Sequence, residues 1–185
     1  MFKHFLQKLI LLTLCALPLL GTAQSNAETV NGLSNYSLGA GDLLSIQVFG
    51  EDELSVELRL SDAGTISYPF LGELRIRGLN TGELGLLIRE KLLDGYLVNP
   101  NVNVTVIEYR QFFIYGQVKK PGGYPFQPGL TLQKAVALAE GFTERASSSK
   151  LFVLRDGVTG SNPEKVELQS AIFPGDTITV EESFF

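Results

Sequence analysis

The sequence predicts an α+β protein built from two small units, each a single helix laid on a short-stranded sheet. Three observations carry this expectation. Apolar and polar residues alternate in short runs, as in Leu44, Ile46 and Val48 and again in Val102, Val104 and Val106, which is the period of a half-buried strand. Two stretches, from Leu84 and from Leu132, carry apolar residues at helical spacing behind a capping residue. The Gly41-Asp42 turn that launches the first strand returns near the other end as Gly175-Asp176, before Ile178 and Val180.

The first residues stand apart from this pattern. Lys3 and Lys8 lie in a basic start, Leu9 to Leu20 is almost wholly apolar, and Gly21, Thr22 and Ala23 follow. This is the composition of a secretory signal peptide, with cleavage expected between Ala23 and Gln24. The apolar run falls short of the roughly 20 residues of a spanning helix, which disfavours a membrane anchor. Cys15 follows Leu14 in the middle of the run rather than a small residue at its end, which disfavours lipidation there. Residues 24–35 are polar and small and read as a flexible leader.

Gly39, Gly41 and Asp42 form the opening turn. Glycine tolerates positive φ, and the aspartate accepts hydrogen bonds from nearby backbone amides. A phosphate loop would open a helix and usually carry a lysine; here a strand follows, so no nucleotide site is expected. Val56, Leu58 and Leu60 alternate as the next strand, Ser61 to Gly64 turns, and Thr65 to Tyr68 returns to Pro69 and Gly72 as a hairpin. Leu74 and Ile76, alternating with Arg75 and Arg77, give one more short strand.

Asn80 with Glu83 spells a capping box for a helix bearing Leu84, Leu87, Ile88, Leu92, Leu93 and Tyr96 on one side. Asn99, Pro100 and Asn101 stop it before the valine strand. The second unit starts near Gln111: Phe112 to Val118 is strand-like, Lys119 to Gly123 is a turn containing Pro121 and Gly122, and Thr131 caps a helix closed by Gly141. Leu151 to Arg155, Val166 with Leu168, and Thr177 to Val180 are the remaining strands.

With 185 residues, 44% of them hydrophobic, the chain has ample material for a packed core. Loss of the first 23 residues would remove Cys15, His4, Lys3 and Lys8, leaving neither cysteine nor histidine. The 15 basic residues would become 13 against 20 acidic ones, moving the formal charge from −5 to −7. A disulfide framework, a soft metal site and the common nucleophile and base pairs are thereby excluded, and a basic nucleic-acid face does not fit. The carboxylate runs Glu51 to Glu53 and Glu181 to Glu182 could serve a glycoside hydrolase only at a defined separation; at turns they read as solvated charge. Tyr109, Phe112, Phe113, Tyr115, Tyr124 and Phe126 crowd the junction of the units. Such rings stack on sugars or fill cores and subunit interfaces, and their alternation favours the latter. The echo of Tyr68-Pro69-Phe70 in Tyr124-Pro125-Phe126 reads as coincidence.

The ordered series resembles the periplasmic polysaccharide export proteins, which carry a polysaccharide-export domain followed by a soluble-ligand-binding β-grasp domain. The resemblance rests on Tyr36, Leu38, Gly39, Gly41 and Asp42, on Gly64, Ile66, Pro69, Gly72 and Gly78, and on Asn99 with Pro100. In the second unit it rests on Gly116, Val118, Pro121, Gly122 and Tyr124, on Leu130 to Leu132, and on Gly175 with Asp176. It implies domains over residues 36–109 and 110–185, with the glycines, prolines and aspartates as structural turns rather than catalytic residues. Glu140 departs from the pattern, standing where the β-grasp helix usually ends in a glycine pair.

The family implies a polysaccharide conduit in the periplasm: a homo-oligomeric ring, no enzyme and no cofactor, working with an inner-membrane chain-length-control protein. Larger members continue into an outer-membrane helix, whereas this sequence stops at Phe185. A short form, peripheral to the outer membrane and completed by a separate β-barrel protein, is therefore expected. A monomeric periplasmic carbohydrate-binding module is the alternative.

Overall fold

The computed structural model describes residue 33, residues 36–157 and residues 162–183. The expected signal peptide, its cleavage point at Ala23 and Gln24, and all of the leader but residue 33 lie outside the described residues. The α+β class is as the sequence predicts. Among the described residues no helix is long and apolar enough to cross a membrane.

The first lobe is organised on β1 (Leu43–Val48), which pairs antiparallel with β2 (Val56–Arg59) on one side and β5 (Val102–Glu108) on the other. Its alternation places Leu44, Ile46 and Val48 in the core. A second, two-stranded sheet is the hairpin of β3 (Thr65–Tyr68) and β4 (Gly72–Arg75). Thr65 to Tyr68 thus pairs forward across Pro69 to Leu71 rather than back to β2, and Ile76 and Arg77 lie beyond the strand. The buried Tyr68 hydroxyl donates to the Leu54 carbonyl at 2.7 Å, tying this hairpin to the short 3-10 turn Asp52–Leu54.

Helix α1 (Thr81–Leu93) begins with the capping box read from the sequence. The Asn80 side chain accepts from the Glu83 amide at 2.9 Å, and the Glu83 carboxylate accepts from the Asn80 amide at 2.8 Å. Leu84, Ile88 and Leu92 are fully buried. Leu93 and Tyr96 are exposed, contrary to the helical reading: Leu93 lies one position past the Leu84, Ile88 and Leu92 face, on the side of the exposed Leu86, and Tyr96 lies beyond the helix, which ends at Asp94 before Gly95 turns the chain with φ of +92°.

The second lobe is a mixed sheet ordered β7-β6-β10-β8-β9. Its strands are β6 (Phe112–Gly116), β7 (Gly122–Tyr124), β8 (Ala146–Leu154), β9 (Glu164–Lys165) and β10 (Thr177–Glu182), with α2 (Leu132–Leu138) packed on one face. β10, last in the chain, lies between β6, to which it is parallel, and β8, to which it is antiparallel. β8 starts at Ala146 rather than Leu151, since the run Ser147 to Lys150 has no apolar alternation to announce it. Val166 and Leu168 fall outside any strand and pack as half-buried side chains against the core.

Helix α2 closes in a Schellman arrangement: the Gly141 amide donates to the Val136 carbonyl and the Glu140 amide to that of Ala137. Glu140 holds the left-handed position, φ +63°, that glycine ordinarily takes. Its exposed ion pair with Lys120 offsets little of that strain. Glu140→Gly is therefore expected to raise stability by about 0.5 to 1 kcal/mol, read as a higher urea midpoint at unchanged slope. A lower midpoint would show that the ion pair outweighs the backbone.

Candidate functional site

The two Gly-Asp turns are built alike. At the first, Gly41 has φ of +95°, and the fully buried Asp42 carboxylate accepts from the Gly39 amide at 2.8 Å, three residues back. At the second, Gly175 has φ of +85°, and the buried Asp176 carboxylate accepts from the Phe173 amide at the same spacing and distance. An arginine completes each: Arg155 Nη1 donates to Asp176 at 2.5 Å, and Arg110 Nη1 lies 3.3 Å from Asp42. Burial pushes the Asp176 carboxyl above its usual range, opposed by the Phe173 amide and the Arg155 guanidinium.

Arg110 does more than complete one turn. It lies two residues beyond β5, its own amide donates to Asp42 at 2.8 Å, and its guanidinium reaches the Tyr36 hydroxyl and Asp156, the latter at 2.9 Å. It also lies 5.3 Å from the centre of the Tyr36 ring. A Cβ on Gly39 would sit 2.4 Å from this guanidinium, and one on Gly175 2.6 Å from it. Both turns thus use glycine to leave room for Arg110, which clasps the first lobe to the second.

Tyr36 donates to Asp42 at 2.7 to 2.8 Å. Burial, and then that bond, push its phenol well above the usual value, while burial alone pushes Tyr68 up to about 12. The folded state therefore holds these protons more tightly than the unfolded chain, and stability present below about pH 10 is lost as pH rises toward the folded values. In an alkaline titration followed by tyrosinate absorbance, Tyr36→Phe and Tyr68→Phe are expected to leave the amplitude of the phase before unfolding unchanged. A drop in that amplitude in either variant would contradict their burial.

Above the clasp runs a groove of about 1560 Å³ between the lobes. Glycines 39, 41, 78, 157 and 175 line part of it, bringing backbone to its surface, with Arg59, Arg77, Tyr109, Phe113, Gln111 and Gln127 among its side chains. The junction aromatics divide. Tyr36, Tyr109 and Phe126 form an edge-to-face chain with centroids 5.1 and 5.4 Å apart, and Phe112 is completely buried against Tyr124. Phe113 and Tyr115 are nearly half exposed on the opposite face of β6.

The remaining turn residues lie elsewhere. Pro69 sits in the β3-β4 turn and Gly72 opens β4, Pro100 is buried before β5, and the exposed Pro121 and Gly122 lie at the end of the β6-β7 turn and the start of β7. Gly64 is buried against Arg77, and the exposed Gly116 lies close against the Val180 backbone. Sequence reasoning passed over Arg59, Arg77, Arg110 and Asp156; the one available signal was a lone arginine within the aromatic junction. Glu51 to Glu53 are exposed, and Glu182 pairs with Arg145. Among the described residues no three side chains are grouped to hold a metal ion.

Among the described residues, a strand-centred first lobe is thus joined through an aspartate-arginine clasp to a one-helix mixed sheet. Residues 30–107 match the family model described as polysaccharide biosynthesis/export protein, and residues 111–166 match the SLBB domain. The chain belongs to the polysaccharide export protein family.

Curated relatives agree. The chain is 29% identical over 164 residues to the exopolysaccharide production protein ExoF of Rhizobium meliloti, a match spanning 82% of this chain and 38% of that protein. It is 26% identical over 170 residues to the polysialic acid transport protein KpsD of Escherichia coli, spanning 86% of this chain and 30% of that one. It is also 26% identical over 184 residues to the EPS I polysaccharide export outer membrane protein EpsA of Ralstonia nicotianae, spanning 80% and 47%. The chain thus covers less than half of the length of each.

Proposed function

We propose that this chain is a component of a machine exporting capsular or extracellular polysaccharide, acting in the periplasm as a homo-oligomeric conduit. The observation that carries the reading is the ordered pair of export and SLBB domains, beside the chain's similarity to relatives named for polysaccharide production, transport or export. The two domains are taken as residues 36–109 and 110–185, with an inner-membrane chain-length-control protein and a separate outer-membrane β-barrel as partners. The reading assigns the chain no catalysis and no cofactor. Its turn residues, from Gly39 to Asp176, act by holding strands and clasp in place.

Deletion of the gene is expected to abolish surface polymer while leaving intracellular polymer detectable, and unchanged surface polymer would overturn the reading. The mass of the purified secreted protein, alone and with the inner-membrane partner, separates a ring from a monomeric carbohydrate-binding module.

A further inference from the structure

We infer that the groove between the lobes, with the aromatic strip that leads out of it, binds a segment of acidic polysaccharide through Arg77 and Phe113; this rests on the export reading and names the polymer class. The groove's volume of about 1560 Å³ exceeds the roughly 300 to 1,000 Å³ of clefts for single small molecules, which suits several linked sugars rather than one.

The arginines of the groove have distinct states. Arg110 is committed to Asp42 and Asp156. Arg59 is exposed, paired with Glu108 at 2.8 Å and with the Gly41 carbonyl, an arrangement open to exchange because surface ion pairs are weak. The exposed Arg77 side chain makes no hydrogen bond or ion pair with any described residue. The two carboxylates lining the groove, Glu108 and Asp156, are thus already matched to arginines, and the unmatched charge is a guanidinium. On a chain of formal charge −5, this is a local reversal of sign. A planar guanidinium binds a carboxylate in bidentate fashion, which a uronate supplies and a neutral hexose does not.

The rest of the lining suits sugar. Phe113, 46% exposed, presents a ring at the groove wall, and Gln111 and Gln127 offer amides to hydroxyls. The glycines of the turns let a chain lie against backbone. From the groove the strip continues across the outer face of the second sheet. Phe113 pairs in register with Thr177, which faces Leu154 on its other side, and Tyr115 pairs with Thr179, which faces Phe152. Phe113 and Tyr115 therefore stand about 7 Å apart along β6, on one face, as successive stacking platforms.

The test is calorimetric titration of the secreted chain with oligogalacturonate, with a neutral maltooligosaccharide of equal length and with poly-glutamate. Oligogalacturonate is expected to bind, about tenfold more weakly when sodium chloride rises from about 50 to about 500 mM. Arg77→Gln and Phe113→Ala are each expected to weaken it about tenfold or more, while Arg89→Gln, the same charge change on the exposed side of α1, leaves it unaltered. Thermal melts matched to the parent confirm folding of each variant.

Four results overturn the inference: no binding of oligogalacturonate, equal binding of the neutral oligomer, equal binding of poly-glutamate, or equal effects of Arg77→Gln and Arg89→Gln. Failure here stays distinct from failure of the export reading. A gene deletion that loses surface polymer and is restored equally by parent and Arg77→Gln keeps the export role and removes the acidic site.

Discussion

Asp42→Ala is expected to lower stability by about 3 to 5 kcal/mol, the cost of removing one partner from a buried charge network. The substitution strips the Gly39 and Arg110 amides, the Tyr36 hydroxyl and the Arg110 guanidinium of their common acceptor, and the vacated space is fully enclosed. Asp42→Asn retains an oxygen acceptor and is expected to recover part of the loss. Arg110→Ala should cost less, about 1 to 3 kcal/mol, because Asp42 keeps two donors, Gly39 and Tyr36, besides the amide of residue 110 itself. Urea unfolding of the three variants checks this order; an Asp42→Ala loss under about 1 kcal/mol would mean that the network contributes little.

Gly116→Ala comes next, with an expected loss of about 2 to 5 kcal/mol. Gly116 has φ of +87°, and a Cβ there would lie 2.1 Å from the Val180 carbonyl oxygen, so the parallel pairing of β6 with β10 has to shift. Gly41, with φ of +95° but only the Arg110 side chain nearby at 3.5 Å, should lose about 1 to 2 kcal/mol on the same change, from backbone strain alone. Gly175 falls between, since the atoms its Cβ would strike belong to the Asp156 and Arg110 side chains. Thermal melts of the three alanine variants give the ranking. Gly116→Ala matching Gly41→Ala would show that the β10 backbone yields freely.

What the sequence disclosed is largely what is local. The alternation in β1 and β5, the Asn80-Glu83 box and the Thr131 cap each lie within a few residues, where side-chain period and capping chemistry act directly. The Gly-Asp turns were legible as turns for the same reason. Their joining through Arg110 was not: the Arg110 bonds to Tyr36 and Asp42 close over 74 and 68 residues, and no local pattern marks such partners. The early start of β8 was hidden because Ser147 to Lys150 carry no apolar alternation and fall in an irregularity of the pairing with β10, between the Ala146–Glu182 and Leu151–Val180 partners. Phe112 and Phe113 adjoin in sequence yet face opposite sides of β6, one in the core and one at the groove. Composition alone offers no means of sorting them; the strand register does.

The central position of β10 fixes an order of assembly. While the nascent chain is still shorter than residue 177, β6 and β8 have no strand between them, and the Ile114 and Val153 side chains lack the Ile178 with which they share the core. Every strand and the helix of the first lobe precede residue 109, so that lobe can form as soon as it emerges. The second sheet closes only when its last strand arrives, by a long-range parallel pairing of the kind that forms slowly. Pulse proteolysis of chains stalled before and after residues 177–182 should find the first lobe protected in both, and the second only in the longer.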